Sequence, residues 1–315
     1  MGWYRTAALA IAAVFVAQAW ADLIPVLVTC GTCGTIVDSA ATGVNDNGDI
    51  VGYFSNGSSD YYGFYDHQGA FTEIAVPGAI QTFPQGINDN GDIVGRYWTG
   101  SAYHGFLLPH GGTLQTVDNG TNTMLWGIND SGLVVGSDIN GNFIWNGSTF
   151  SALADIPGYS GGNTQFLGIN DSGVILGDYY APSWTGVICL SNCLSSQQPP
   201  AATLIYVVPP DPGNNYGNLG GISNNGVAAG VYSTGDGNYH PYTYDIGTGQ
   251  NTLAPDFPGA VTTWANGINN GGNVVGFYQY ADGSYFAYET SPEPSGFLLM
   301  AGGALVLLIR KRRAA

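Results

Sequence analysis

The side chains with the clearest potential for chemistry belong to a ten-residue motif, Gly-Ile-Asn-Asp-Asn-Gly-Asp-Ile-Val-Gly, at Gly86–Gly95. Its alternating oxygen atoms suit a calcium ion. The motif occurs six times, and later copies replace Asp49 and Asp92 by residues such as Leu133 and Val174, whereas the central glycine never changes. A tight turn requires glycine for its positive φ, whereas a metal site requires the carboxylates as ligands. We therefore interpret the motif as a tight turn and predict no metal site, with weak calcium binding left open at the first two copies.

The four cysteines form two close pairs, Cys30 with Cys33 and Cys189 with Cys193. In an exported protein, local disulfides are the default. Two alternatives stay open, a zinc site built from all four thiolates and thiol–disulfide exchange at the first pair. Exchange usually uses a helix N-terminus, and this stretch has the pattern of a strand end.

The sequence contains no pattern that predicts catalysis. It has no Gly-x-Ser-x-Gly motif and no phosphate-binding glycine loop before a helix. Its scattered acids include no exceptional pair of the kind that glycoside cleavage needs. Two of the four histidines, His104 and His240, recur in phase and are predicted to be architectural. We expect a protein that is not an enzyme and uses no cofactor, with a glycan-acting hydrolase or lyase as an alternative.

Arg96, Tyr97 and Trp98 form the most suggestive binding cluster. Aromatic faces stack on sugar rings, and an arginine can pair with an acidic polysaccharide. We place the three residues in a loop between strands and propose them as a candidate ligand-binding site. The plainer interpretation is an exposed loop in which Arg96 stacks on Trp98.

The elements that position these residues follow from the spacing of the motif. Its first glycines are separated by 43, 41, 41, 53 and 46 residues. Each copy has the pattern of strand, tight turn and strand, with asparagine and glycine supplying the positive φ of a two-residue hairpin. A period near 42 residues accommodates four short strands and is typical of a propeller blade. We predict an all-β, six-bladed β-propeller over residues 22–290.

The two ends of the repeat array predict how the ring closes. The stretch 23–28 has the pattern of a fourth strand, and the last repeat stops after its third strand, at Tyr288. An N-terminal strand that completes the last blade removes both exposed edges. A seven-bladed ring and an open β-repeat array are the alternatives.

Charge excludes one class of partner. Between Asp22 and Glu289 there are 21 acidic residues and a single basic one, Arg96, which gives a formal charge of −20. Nucleic-acid binding needs clustered lysine and arginine, so we predict no nucleic-acid partner.

The N-terminus has the features of a secretory signal peptide, residues 1–21. Arg5 supplies the positive charge, residues 7–17 are apolar, and Ala19-Trp20-Ala21 fits the cleavage site. The apolar run is short for a membrane anchor, which needs about 20 residues.

The C-terminus, residues 291–313, has three parts. A motif at 291–295 contains Pro292, Glu293 and Pro294, and the segment ends with a basic cluster. Between them, the uncharged apolar segment 296–309 is predicted to form a short transmembrane helix. That cluster consists of Arg310, Lys311, Arg312 and Arg313. It would stay cytoplasmic and stop transfer through the membrane.

This tail resembles the PEP-CTERM sorting signal of Gram-negative bacteria. The resemblance implies that the chain is exported, held at the inner membrane by the tail and cut near Pro292-Glu293-Pro294 by an exosortase. It also implies a host that makes extracellular polysaccharide, and a mature protein at the cell surface or in the biofilm matrix.

The repeats themselves resemble the extracellular repeats called the HAF family, whose His-Ala-Phe occurs here as His104-Gly105-Phe106. That resemblance implies fold and secretion. The expected function is an exported surface or matrix protein whose propeller serves as an interaction or structural module, with binding of extracellular polysaccharide as an alternative.

Overall fold

The computed structural model describes residues 22–29, 34–156, 164–180, 183–194, 202–211 and 216–290. These residues fall within one compact unit, Asp22–Pro292. The predicted signal peptide, Cys30, Cys33 and the predicted sorting tail 291–313 lie outside the described residues. Within those ranges no helix is long and apolar enough to cross a membrane.

The described chain forms 24 strands in six four-stranded antiparallel sheets, and each sheet is one blade. Blades 1 to 5 each use four consecutive strands. Blade 1 contains β2 (Asp38–Val44), β3 (Ile50–Ser55), β4 (Tyr62–His67) and β5 (Ala70–Ile74). Blade 2 contains β6 (Gln81–Ile87), β7 (Ile93–Trp98), β8 (Tyr103–Leu108) and β9 (Gln115–Val117).

The next three blades repeat this arrangement. Blade 3 contains β10 (Met124–Ile128), β11 (Val134–Asp138), β12 (Gly141–Trp145) and β13 (Phe150–Ala152). Blade 4 contains β14 (Thr164–Ile169), β15 (Ile175–Tyr180), β16 (Trp184–Ser191) and β17 (Thr203–Val207). Blade 5 contains β18 (Gly217–Ile222), β19 (Val227–Ser233), β20 (Tyr239–Asp245) and β21 (Gln250–Leu253).

Blade 6 closes the ring. It contains β22 (Thr262–Ile268), β23 (Val274–Gln279) and β24 (Tyr285–Thr290) from the end of the domain, with β1 (Leu23–Pro25) from its start as the fourth strand. Leu23 lies opposite Thr290 in this pairing. The predicted six blades and their closure are confirmed, and the seven-bladed ring and the open array are wrong. All strands of the ring lie within residues 22–290, so this segment is expected to fold alone.

Each motif turn is a three-residue loop, and the prediction of a two-residue hairpin is wrong. In the first copy the Asn45 N–H donates to the Asp49 carbonyl at 3.1 Å, and the Gly48 N–H donates to the Asn45 carbonyl at 3.1 Å. This is a type I turn followed by a left-handed residue. The six glycines at that position have φ between 74° and 82°, which explains why glycine never changes there.

The innermost strand of every blade contains a β-bulge immediately before the first glycine of the motif. The register shifts between Ala41 and Gly43 in blade 1 and at the equivalent place in the other five blades. A bulge inserts one extra residue into a strand and changes the direction in which its side chain points. The six bulged residues therefore line the central channel. They are Thr42, Gln85, Trp126, Leu167, Gly220 and Asn266.

The first glycine of each motif copy lies at the narrowest part of the channel, which we call the waist. These residues are Gly43, Gly86, Gly127, Gly168, Gly221 and Gly267. A Cβ added to Gly86 would lie 3.1 Å from the Cα of Gly127, and one added to Gly221 would lie 2.8 Å from the Cα of Gly267. Only glycine allows the innermost strands to approach this closely. The waist separates two candidate sites along the channel.

Candidate functional site

One side of the waist carries a closed circle of hydrogen bonds, which we call the turn ring. In each blade the second residue of the turn accepts a backbone N–H bond from the same position of the preceding blade, at 2.6–2.8 Å. Blade 6 returns to blade 1 through the Asn270 N–H and Asp46 Oδ1, which closes the circle. The ring consists of Asp46, Asp89, Asp130, Asp171, Asn224 and Asn270.

The first residue of each turn adds a second connection between blades. Asn45 Oδ1 accepts the Asp49 N–H of its own turn at 2.9 Å, and its Nδ2 donates to the Asn88 carbonyl of the next blade at 3.1 Å. Four other blades repeat the interblade bond. Blade 5 has Ser223 at this position, and its hydroxyl accepts the Val227 N–H of its own turn. The motif asparagines therefore hold the blades together as well as forming turns.

The arrangement of acids and amides in the turn ring sets its charge. Asn224 Nδ2 donates to Asp171 Oδ2, and Asn270 Nδ2 donates to Asp46 Oδ2, both at 2.6 Å. Asp130 has carboxylates on both sides. Partial burial and the charges of Asp89 and Asp171 raise the pKa of Asp130 to about 6, against the lowering effect of the Asp89 N–H bond.

Asp130→Asn should stabilise the protein at pH 7 but not at pH 4. An acid whose pKa is raised in the folded state binds more protons folded than unfolded between about pH 4 and 6, so its contribution to stability falls as pH rises through that window. The amide keeps the oxygen that accepts the Asp89 N–H, as Asn270 does for Asn224. Because Asp130 is partly exposed, we expect a gain of only about 1 kcal/mol.

Denaturant unfolding at pH 4, 5, 6 and 7 measures this effect. Asp22→Asn is the control, because it removes the same charge from an exposed side chain. An equal gain at every pH, or the same gain in the control, would contradict the assignment of the effect to the turn ring.

The carboxylates of the first two motif copies do not converge on a common point. Asp49 is buried and its Oδ1 lies 2.5 Å from Nδ1 of His67, while Asp46 accepts bonds from blade 6. In the part of the chain that the structure describes, no group of three or more His, Cys, Asp or Glu is arranged to hold a metal ion. These side chains bond within and between blades.

The other side of the waist opens into a cavity of about 240 Å³, which we call the bulge basin. Its wall combines bulged residues with side chains from the second strand of several blades. Aromatic rings and carboxamides predominate. The lining residues are Thr42, Tyr53, Gln85, Arg96, Trp126, Leu167, Asn218, Gly220, Trp264, Asn266 and Phe277.

Arg96 is the only cation of this domain and it lines the basin. Its guanidinium carbon lies 4.5 Å from the centre of the Trp126 ring, 5.2 Å from Phe83 and 5.6 Å from Tyr103. Its Nε and Nη1 atoms are buried and have no hydrogen-bond partner among the described residues. Burial lowers the pKa of Arg96, although an arginine stays protonated in proteins.

The structure separates the three residues of the sequence-predicted binding cluster. They lie in β7, so the prediction of a loop is wrong. Tyr97 points to the opposite face from Arg96, is 9% exposed and bonds to Thr116 Oγ1 at 2.9 Å. Trp98 packs on Tyr103 with ring centres 4.8 Å apart, outside the lining of the basin. Arg96 therefore stacks on other rings and not on Trp98.

A disulfide joins Cys189 and Cys193 at the end of β16. Both residues are buried against blade 3, where the Ala154 N–H donates to the Cys193 carbonyl at 2.8 Å. This pair does not line the bulge basin and belongs to the packing between blades 3 and 4.

Sequence reasoning missed the bulged residues and both sets of interblade bonds. The signal that could have found them is positional, because each bulged residue immediately precedes the first motif glycine. Their types differ from blade to blade, from Thr42 to Trp126, so no recurring residue marks the channel.

Comparison with known proteins gives the fold and no family. No family model and no curated protein matches this chain. The β-propeller domain of the Trilobed protease from Pyrococcus furiosus matches with a TM-score of 0.51 and 10% identity, over 82% of this chain and 97% of that one. A triple arginine-to-alanine mutant of AofleA from Arthrobotrys oligospora matches with a TM-score of 0.51 and 9% identity, over 86% of each chain.

TolB from Acinetobacter baumannii also matches, with a TM-score of 0.36 and 11% identity, over 82% of this chain and 55% of that one. The two likenesses with a TM-score of 0.51 show the propeller fold alone, because their identities are only 10% and 9%.

Proposed function

We propose that this chain is an exported, non-enzymatic surface or matrix protein whose propeller binds a saccharide unit of extracellular polysaccharide in the bulge basin. The observation that carries this proposal is the ring of β-bulges, which directs five side chains and the backbone of Gly220 toward one cavity. Two of the bulged residues also bond between blades, because Asn266 Nδ2 donates to the Ala41 carbonyl at 2.8 Å and Thr42 Oγ1 donates to the Pro84 carbonyl at 2.9 Å.

The chemistry of the basin supports a sugar as ligand. Trp126, Trp264 and Phe277 offer apolar ring faces, which stack on the C–H faces of a sugar. Gln85 adds a carboxamide, which both donates to and accepts from hydroxyl groups. Asn266 adds its amide oxygen as an acceptor, since its Nδ2 donates to the Ala41 carbonyl at 2.8 Å. A cavity of about 240 Å³ is slightly smaller than the sites of about 300–1,000 Å³ that enclose drug-sized ligands, so it suits a single sugar unit.

The basin wall favours binding over cleavage. Glycoside cleavage uses a pair of carboxyl groups that flank the scissile bond. The described residues that line the basin include no Asp or Glu. The nearby buried carboxylate of Asp178 accepts the Leu219 N–H at 2.8 Å and a bond from Asn218 Nδ2, and burial raises its pKa well above the ordinary value.

Export and sorting rest on the resemblance of residues 291–313 to the PEP-CTERM signal. In this proposal an exosortase cuts near Pro292-Glu293-Pro294, and residues 296–309 hold the precursor in the membrane until then. The intact mass of the protein recovered from the producing bacterium tests this step, since a mass that retains Arg310 to Arg313 would contradict it.

Trp264→Ala should weaken retention of purified 22–290 on the extracellular polysaccharide of the producing bacterium about tenfold. Removing one stacked ring costs up to about 1.4 kcal/mol, which is a factor of ten in affinity. Trp264 is half-buried at the basin wall and packs on Phe277, with ring centres 5.6 Å apart. Affinity electrophoresis in gels that contain the polysaccharide measures the change.

Trp184→Ala is the matched control. Trp184 is a half-buried tryptophan that packs on Tyr180 in blade 4 and does not line the basin. Trp98→Ala should cause a smaller loss than Trp264→Ala, because Trp98 does not line the basin and contacts only the outer neighbour of Arg96, Tyr103. Equal retention of the wild type and Trp264→Ala, or loss in Trp184→Ala, would contradict binding in the basin.

A further inference from the structure

Arg96 is half-buried, and two of its side-chain nitrogens, Nε and Nη1, are buried without a counter-charge. It forms no ion pair with any residue in the ranges that the structure describes. Three aromatic rings lie against it, and within the described part of the chain its Nε and Nη1 atoms have no hydrogen-bond partner. Ring faces compensate only part of what a charged group loses when it leaves water. In the free protein, Nε and Nη1 of Arg96 therefore remain available to donate hydrogen bonds to an anionic acceptor.

The equivalent position in blade 4 holds a buried charge whose hydrogen-bond partners are supplied by the protein itself. Asp178 follows the last glycine of its motif copy, as Arg96 does in blade 2. Asp178 is 1% exposed, and both of its oxygens accept hydrogen bonds from blade 5. The protein thus satisfies its buried carboxylate internally and, among the described residues, leaves Nε and Nη1 of Arg96 without a hydrogen-bond partner, on the wall of a cavity.

From this contrast we infer that the basin selects a saccharide unit that carries a carboxylate, a hexuronate, and that this carboxylate pairs with Arg96. The inference rests on the proposed function and adds the charge of the ligand. Charge-assisted hydrogen bonds between arginine and a carboxylate are roughly twice as strong as hydrogen bonds between neutral groups. The amide and aromatic side chains of the basin would contact the hydroxyl groups and the ring face of the same unit.

The overall charge of the domain restricts the form of this ligand. With 21 acidic residues against Arg96 alone, the domain repels a dense polyanion at long range. A single uronate unit, at a chain end or between neutral sugars, carries one negative charge to the buried guanidinium. Salt screens the long-range repulsion but acts little on the buried pair. Hexuronate affinity should therefore hold or rise as sodium chloride increases to about 0.15 M.

Calorimetric titration of 22–290 with matched sugars tests the inference. D-glucuronate and D-galacturonate are compared with D-glucose and D-galactose, which lack only the carboxylate. We expect at least one uronate to bind about 10- to 100-fold more tightly than its neutral partner, as a charge-assisted hydrogen bond implies. In Arg96→Met, which keeps a long apolar stem, that preference should disappear while the weak binding of the neutral sugar remains.

The outcomes distinguish failure of the charge assignment from failure of the proposed saccharide site. Equal affinity for uronates and neutral sugars, with Trp264→Ala weakening both, leaves the saccharide site in place and overturns the charge assignment. Uronate affinity that is unchanged in Arg96→Met, or that falls steadily with salt, also overturns it. Absence of binding by all four sugars, together with unchanged polysaccharide retention in Trp264→Ala, overturns the proposed function and the present inference together.

Stability gives a second measurement that does not depend on ligand choice. Replacing a buried charge that lacks a partner by an apolar side chain of similar size is neutral or stabilising. Ligand-free Arg96→Met should therefore melt at the same temperature as the wild type or higher. A lower melting temperature would show that the guanidinium is already satisfied in the free protein and would overturn the inference.

Discussion

Gly95→Ala should prevent blade 2 from folding and cost at least about 4 kcal/mol of stability. Gly95 does not have a positive φ, so the effect is one of space and not of backbone conformation. A Cβ there would overlap the carbonyl oxygen of Phe83 and lie 2.7 Å from Cε1 of Phe106. Phe106 is fully buried, and Phe83 is part of the adjacent strand β6, so neither can move away. Soluble yield and thermal unfolding of 22–290 measure the loss.

Gly271→Asn is the matched control, because it also changes a motif glycine. Gly271 does not have a positive φ either, and a Cβ there would meet only Oδ1 of Asn269, at 3.3 Å, and the more distant Oδ1 of Asn273, at 3.9 Å. The first blade has Asn47 at this position, and its Nδ2 donates to the Asp89 carbonyl at 3.0 Å. The introduced carboxamide would have the equivalent backbone carbonyl available in blade 1, so we expect unchanged or slightly raised stability. Comparable losses in the two variants would contradict the packing argument.

Val26→Asp should open the ring at blade 6 and cost at least about 3 kcal/mol. Val26 follows β1, its N–H donates to the Ala287 carbonyl at 3.0 Å, and its side chain is 7% exposed. It packs in a cluster with Ala41 and Phe54 of blade 1 and Val275 of blade 6, so it joins the first and last blades. A carboxylate at this position would be buried without a partner, and β24 would become an exposed edge prone to association.

The neighbouring residue supplies the control for ring opening. Leu27 is 80% exposed, so Leu27→Asp introduces the same charge one residue away without burying it. We expect Leu27→Asp to unfold like the wild type and to remain monomeric. Size-exclusion chromatography and thermal unfolding measure both variants. If the two variants behave alike, the N-terminal strand does not hold the ring closed.

The six blades and their closure could be predicted because they depend on neighbours in sequence. A hairpin is a contact between residues a few positions apart, and its glycine requirement recurs six times in the chain. The fourth strand was assigned by phase, from the stretch 23–28 and the end of the last repeat at Tyr288. The structure confirms that pairing, with β1 shortened to Leu23–Pro25.

Two local predictions are wrong for reasons that the sequence does not display. The turns have three residues, because asparagine and serine at the turn adopt right-handed conformations and only the glycine is left-handed. Tyr97 and Trp98 continue β7, because their aromatic rings alternate between the two faces of the sheet and pack on Thr116 and Tyr103.

The sequence by itself determined the blade count, the closing strand and the presence of a single cation, Arg96, among 21 acids. These follow from composition and from bonds between near neighbours, which a repeating pattern records. Only the tertiary structure decided that Arg96 lies at the wall of a cavity and that the motif acids form a ring. Those contacts join residues about 30 to 40 positions apart in different blades, through bulges whose side chains have no common type, so no local pattern encodes them.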